Sequence, residues 1–147
     1  MDDIDRELLR HLQVDARTSY ADLARRVGLS APSVHERVRK LERDGVLQGS
    51  AAVVDPAAIG LGVTALVGLQ QREGAESDDI VEALGELEAV EDCWFVAGDE
   101  AFVVKVRVAD LDALDRTLSM LRRVPGVTRT RTTVVLSTRF EGRRRVP

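Results

Sequence analysis

The stretch Tyr20-Ala-Asp-Leu-Ala-Arg-Arg-Val-Gly-Leu-Ser-Ala-Pro-Ser-Val-His-Glu-Arg-Val38 decides how the first third of this chain folds. Ala24 is small enough to let two helices cross closely, Gly28 suits the turn between them, and Val34 packs the second helix back on the first. A small residue, a glycine and a branched apolar residue at this spacing form the pattern of a helix-turn-helix, whose second helix enters the DNA major groove. Helical hairpins of other kinds can match the pattern by chance, so the flanking sequence matters.

Working outward, local signals support helices on both sides. Ile4, Leu8 and Leu12 recur at i, i+4 and i+8, one apolar stripe of a first helix. Ser19 followed by Asp22 resembles a capping box, and Tyr20, Leu23, Ala24 and Val27 supply the stripe of a second helix. Ser30 caps a third, in which Val34, Val38 and Leu41 repeat at i, i+4 and i+7 before Gly45 closes it. Val46 to Val54 reads as a short extended, wing-like segment. Asp55-Pro56, Gly60 and Gly62 then mark a linker. The expected division is a winged helix-turn-helix over residues 1–50, a hinge over 51–62, and a second domain over 63–147.

That second domain alternates strand and helix signals. Val63 to Gln71 is strand-like, with Val63, Ala65, Val67 and Leu69 on one face and Leu66 on the other. Ile80, Leu84 and Leu87 share a helix face. Cys93 to Ala97 and Ala101 to Val108 read as strands joined by the turn Gly98-Asp99-Glu100. Leu111, Leu114, Leu118 and Leu121 form a further helix, capped by Asp110 and stopped by Pro125-Gly126, and Val127 to Leu136 is the last strand. The fold class is therefore α+β, with a βαββαβ ferredoxin-like second domain. Its helices cover one sheet face. Leu66, Val103 and Trp94 or Phe95 make the other face apolar enough to predict dimerisation through it, with Lys105 and Arg107 near the rim.

Composition narrows the function. With 44% apolar and 31% charged residues in 147, the chain is an ordinary globular protein. No apolar run reaches the roughly 18 residues of a membrane span, and the acidic start is unlike a secretory signal, so a cytoplasmic location is expected. His11, His35 and the single Cys93 form no cluster of metal-ligand spacing, and no phosphate loop, nucleophile elbow or carboxylate pair appears. Hence no catalytic residue, metal or cofactor is expected. The net charge of −4 conceals a pattern: residues 1–48 are neutral, 49–108 carry −9, and 109–147 carry +5. Within Ala24 to Arg43, Arg25, Arg26, Arg37, Arg39, Lys40 and Arg43 outnumber Glu36 and Glu42, a local excess suited to phosphates. Arg143-Arg144-Arg145 reads as a solvated tail.

A helical wheel sorts the contacts of the third helix. Val34, Val38 and Leu41 define the buried side, Pro32, Glu36, Arg39 and Arg43 lie opposite, and Arg37 sits near the seam. Ser30, Pro32, Ser33, Glu36, Arg37, Arg39, Lys40 and Arg43 are the candidate DNA contacts. Ser33, Pro32 and Glu36 near the N-terminal end are placed for base edges, and Arg39, Lys40 and Arg43 for phosphates. Arg37 has an open alternative, an ion pair to a neighbouring helix.

With these residues in hand, the whole chain resembles the Lrp/AsnC family, the leucine-responsive or feast–famine regulators. Asp3-Ile-Asp-Arg-Glu-Leu-Leu, Val27-Gly-Leu-Ser, Glu36-Arg-Val-Arg-Lys-Leu-Glu, Gly98-Asp99, Pro125-Gly-Val and Thr130-Arg-Thr-Thr-Val-Val carry the resemblance in matching order. It implies a transcription regulator that binds double-stranded operator DNA, dimers that often assemble into octamers, and an amino acid as effector at a dimer–dimer contact. By that resemblance Gly98, Asp99, Glu100 and Ala101 in the turn, with Thr132, Thr133 and Val134 on the last strand, would hold the effector. Many family members have Asp where Ala101 stands, so Asp99 or Glu100 would have to serve the α-ammonium. Siroheme decarboxylases are similar in two-part architecture. They are expected to use histidine in the C-terminal half, which has none after His35, and so no enzymatic function is expected. A stand-alone amino-acid-binding module is disfavoured by the intact reading helix.

Overall fold

Two separate hydrophobic clusters organise the chain in a computed structural model that describes residues 1–142; the arginine run from Arg143 lies outside them. The chain divides into a helical unit, residues 1–53 together with the stretch from Phe140, and a sheet unit, residues 54–139. The segment 54–62, with its 3-10 turn Ala57–Ile59, therefore belongs with the sheet unit. Phe140 to Gly142 groups with the helices.

The helical unit holds α1 (Asp3–Val14), α2 (Tyr20–Val27) and α3 (Ala31–Arg43). Each begins on a side chain that accepts an otherwise unpaired backbone N–H: Asp2 from Asp5, Ser19 from Asp22, Ser30 from Ser33. At α1 the exchange is reciprocal, since Asp5 Oδ2 also accepts the Asp2 N–H at 3.0 Å. Gly28 ends α2 in the left-handed conformation (φ 69°), where the Leu29 N–H reaches back to the Ala24 carbonyl. Leu8, Leu23, Ala24, Val34 and Val38 interlock as the core. After Gly45 the Val46 and Leu47 amides both bond to the Leu41 carbonyl, closing α3. The residues that follow form no ladder. Among the described residues the expected wing is an unpaired stretch, and the helical unit is helix only.

The sheet unit runs β1 (Val63–Gln71), α4 (Ser77–Gly85), β2 (Val90–Phe95), β3 (Phe102–Val108), α5 (Leu111–Arg123) and β4 (Val127–Val135). Its four strands lie in the order β2-β3-β1-β4, every neighbouring pair antiparallel, as the split βαβ arrangement requires. Ala65, Val67 and Leu69 on β1 and Phe102, Val104 and Val106 on β3 meet Ile80 and Leu84 of α4 and Leu121 of α5. Full burial of each such branched or aromatic side chain contributes about 1.5–3 kcal/mol. Thr117, a polar side chain buried in α5, donates its hydroxyl to the Ala113 carbonyl at 2.9 Å.

Three sequence expectations need correction. Leu111 is 65% exposed, because it occupies the first turn of α5 beyond the reach of the sheet; Leu114 and Leu121 carry the helix. β2 begins at Val90 rather than at Cys93, with an irregularity between Val90 and Asp92 that the residue pattern does not reveal. Lys105 and Arg107 lie on an inner strand and not at the rim. Lys105 pairs with Glu91 (3.2 Å) and Asp92, and Arg107 with Glu91 (3.2 Å) and the Thr64 hydroxyl. The face opposite the helices is thus a mixture, with Leu66 and Trp94 part-exposed among ion pairs.

Candidate nucleic-acid interface and effector cleft

The three buried positions of α3 fix which side chains it offers to solvent. With Val34, Val38 and Leu41 against α1 and α2, the residues Pro32, Ser33, Glu36, Arg39, Lys40 and Arg43 are all exposed. Pro32, His35, Glu36, Arg39 and Arg43 border one groove along this surface, and Ser33, Glu36, Arg37 and Lys40 border another beside Asp2 and Asp5. Tyr20 rests on His35 with ring centroids 5.0 Å apart, holding the start of α2 against α3. Ser30 spends its hydroxyl oxygen on the Ser33 amide and lies within 2.8 Å of the Ser33 hydroxyl, so its first task is the cap.

Charge sorts these residues further. Arg37 Nη1 donates to Asp2 at 2.7 Å and Asp5 at 2.8 Å, tying α3 to the start of α1. Hydrogen bonds from the guanidinium to Asp2 and then Asp5 raise its pKa still higher. The Asp5 amide first, and the Arg37 guanidinium second, pull the Asp2 carboxyl below its usual 3.8. The ion-pair alternative for Arg37 therefore describes the fold. Arg25 is likewise matched by Asp22, whose carboxyl is lowered by the Ser19 hydroxyl and then by Arg25. Among the described residues, Arg39, Lys40 and Arg43 make no ion pair. They are the positive row of the reading helix.

In the sheet unit the turn after β2 folds over the sheet. The Val96 amide bonds to the Ala101 carbonyl and the Ala101 amide to the Leu69 carbonyl, both at 2.9 Å, anchoring the turn to β1. Ala101 itself packs on the core, which accounts for an apolar residue there. Gly68, Gln70, Asp99, Glu100, Arg129, Thr130 and Arg131 enclose a polar cleft of about 220 Å³. Its floor is Gly68, where a Cβ would come within 2.6 Å of the Glu100 Cγ, so only glycine lets that side chain lie flat and reach Arg131. Of the residues named for the effector, Asp99 and Glu100 converge here, with Gly98 and Ala101 as the turn's hinges. Thr132, Thr133 and Val134 do not line the cleft. Antiparallel pairing sets Gly68 opposite Arg131 and Gln70 opposite Arg129, so an earlier part of β4 faces the turn. A glycine inside an otherwise apolar strand is the available signal for this close approach. The two arginines follow from strand period two only once the register is known.

A three-helix unit with an open cationic reading helix, joined in one chain to an α+β unit bearing a small polar cleft, defines a helix-turn-helix regulator with its own ligand domain. Family comparison agrees: residues 1–42 match the AsnC-type helix-turn-helix domain and residues 63–145 the Lrp/AsnC ligand binding domain. This chain belongs to the Lrp/AsnC family of transcriptional regulators; it is a DNA-binding regulator and not an enzyme. It is 42% identical to the HTH-type transcriptional regulator LrpA of Mycobacterium tuberculosis, over 100% of this chain and 97% of that one. It is 40% identical to the leucine-responsive regulatory protein of Escherichia coli, over 92% and 85% of the two chains. The solved structure of the feast or famine regulatory protein from M. tuberculosis complexed with L-methionine superposes with a TM-score of 0.93 at 42% identity, covering 99% of each chain. No helix among the described residues is long and apolar enough to cross a membrane.

Proposed function

We propose that the helical unit reads operator DNA with α3, and that the cleft beneath the 97–100 turn takes an amino acid that adjusts this binding. Ser33, Pro32 and Glu36 meet base edges near the N-terminal end of α3; Arg39, Lys40 and Arg43 hold phosphates; Arg37 positions the helix and Ser30 caps it. The observation that carries this reading is the contrast on α3. Among the described residues its three outward cations have no ion pair, while Arg37 is matched by two carboxylates. For the effector, support comes from the polar cleft of amino-acid size and from the similar protein that binds L-methionine. The division of labour follows the expected domains, 1–50 for DNA, 51–62 as hinge and 63–147 for sensing, in a cytoplasmic protein.

Association of two chains through the sheet face bearing Leu66, Trp94 and Val103 presents two reading helices to a site of approximate dyad symmetry. The family resemblance extends this to octamers. In vitro selection of bound DNA, repeated with each of the twenty amino acids, tests the reading. A dyad-symmetric motif whose affinity shifts with at least one amino acid is expected. No enriched motif, or one indifferent to every amino acid, would refute it. Leu66→Glu is expected to lower the sedimenting mass, and an unchanged oligomer removes the sheet face as the interface.

A further inference from the structure

The Glu100–Arg131 ion pair is built unequally. Glu100 is held: its side chain lies along Gly68, with Cδ and Oε1 about 3 Å from where a Cβ would stand, and only 15% of it is exposed. Arg131 is the loose member, with 71% of its side chain exposed at the mouth of the cleft. The pair bridges the turn to β4 across β1, and it occupies the space that a ligand needs.

We propose that this pair is the closed form of the effector site, and that a zwitterionic amino acid opens it by exchanging partners. The ligand ammonium replaces Arg131 on Glu100, and the ligand carboxylate takes the displaced Arg131, with Arg129 beside it. The inference rests on the effector reading above and specifies its recognition chemistry. A zwitterion is the class of ligand that breaks the pair without leaving either protein charge unmatched. A cation alone releases Arg131 into water, at little cost because it is already exposed. An anion alone strands the largely covered carboxylate of Glu100, which costs more. The cleft, at about 220 Å³, is smaller than the roughly 300–1,000 Å³ that encloses drug-sized ligands, in keeping with one amino acid. Because the pair ties the turn to β4, exchange also unhooks the turn, which supplies a local movement that effector binding can transmit.

Isothermal titration of the full-length oligomer with L-methionine, L-methioninamide and N-acetyl-L-methionine tests the exchange. Methionine is expected to bind the wild type more tightly than the amide, and the amide more tightly than the N-acetyl compound. Glu100→Gln and Arg131→Gln should each weaken methionine roughly tenfold, as removal of a single charge-assisted hydrogen bond would. The single-charge ligands should reverse this. The amide binds Arg131→Gln more tightly than wild type, because Glu100 is already unpaired, and N-acetyl-methionine likewise gains on Glu100→Gln. Both variants keep side-chain shape, and unchanged DNA binding without ligand shows that they fold. Methionine affinity that is equal or higher in both variants, or no crossed gain with the single-charge ligands, overturns the exchange. If Asp99→Asn alone abolishes methionine binding, the effector reading stands and the exchange falls. No heat from methionine or from any of the other nineteen amino acids removes the effector reading and the exchange together.

Discussion

Substituting Lys40 and Arg37 in parallel separates a cation that holds DNA from one that holds the protein. Removing one cation from a phosphate makes the slope of log affinity against log salt shallower by about 0.9 on duplex DNA. Arg39, Lys40 and Arg43 give three such cations per reading helix. A two-fold dimer then has six, for a slope of about −5. Lys40→Ala removes one per protomer, so the slope should become shallower by about 1.8, and between 50 and 200 mM salt the variant should lose about tenfold less affinity than wild type. Arg37→Met keeps the aliphatic stem but removes a charge already matched at 2.7 and 2.8 Å by Asp2 and Asp5. Its slope should equal that of wild type, while the melting temperature falls as α3 loses its tie to α1. The assay is fluorescence anisotropy on a random-sequence duplex, since phosphate binding needs no operator. A slope for Arg37→Met as shallow as for Lys40→Ala, with unchanged melting, would place Arg37 among the phosphate-binding residues and refute the sorting by ion pairing.

Leu23→Ala should destabilise the helical unit by about 2–5 kcal/mol, because Leu23 is wholly buried among Leu8, Val34 and Val38; denaturant unfolding followed by circular dichroism measures it. Gly28→Ala should cost about 1–2 kcal/mol although the space beside it is open, since the strain lies in φ at 69° and not in a clash. Gly28→Asn should cost less, and equal losses would deny the left-handed turn its role. The Asp2 and Asp22 carboxyls are depressed below 3.8, so their contribution is present above that value and disappears as pH falls through the lowered ones. The Asp2→Asn, Asp22→Asn double variant should therefore lose less stability on acidification from about pH 5 to about pH 2. Parallel curves would show that neither group is linked to folding.

What can be read from the chain is what arises over a few residues. The caps at Ser19, Ser30 and Asp110, the left-handed Gly28 and the stripe Val34, Val38, Leu41 are local hydrogen-bond, dihedral and period effects, and each is present in the fold. So is the βαββαβ order, because alternation over Val63 to Gln71 and the leucine spacing of α5 need no distant partner. Local grammar fails where a partner decides the outcome. Val46 to Val54 has strand-like composition, but a ladder requires a second strand and none meets it within the described residues. Leu111 continues the leucine period of α5 yet reaches past the sheet that would bury it. Arg37 has two open roles until folding brings Asp2, far away in sequence, within 2.7 Å. The cleft shows the same division. Asp99 and Glu100 are legible as the acidic tip of a turn, but the family resemblance points along β4 to Thr132, Thr133 and Val134, past the Arg129 and Arg131 that face it. Alternation assigns residues to two faces without saying which strand lies opposite. Only antiparallel register sets Gly68 beside Arg131 and makes the missing side chain of one the seat of an ion pair for the other.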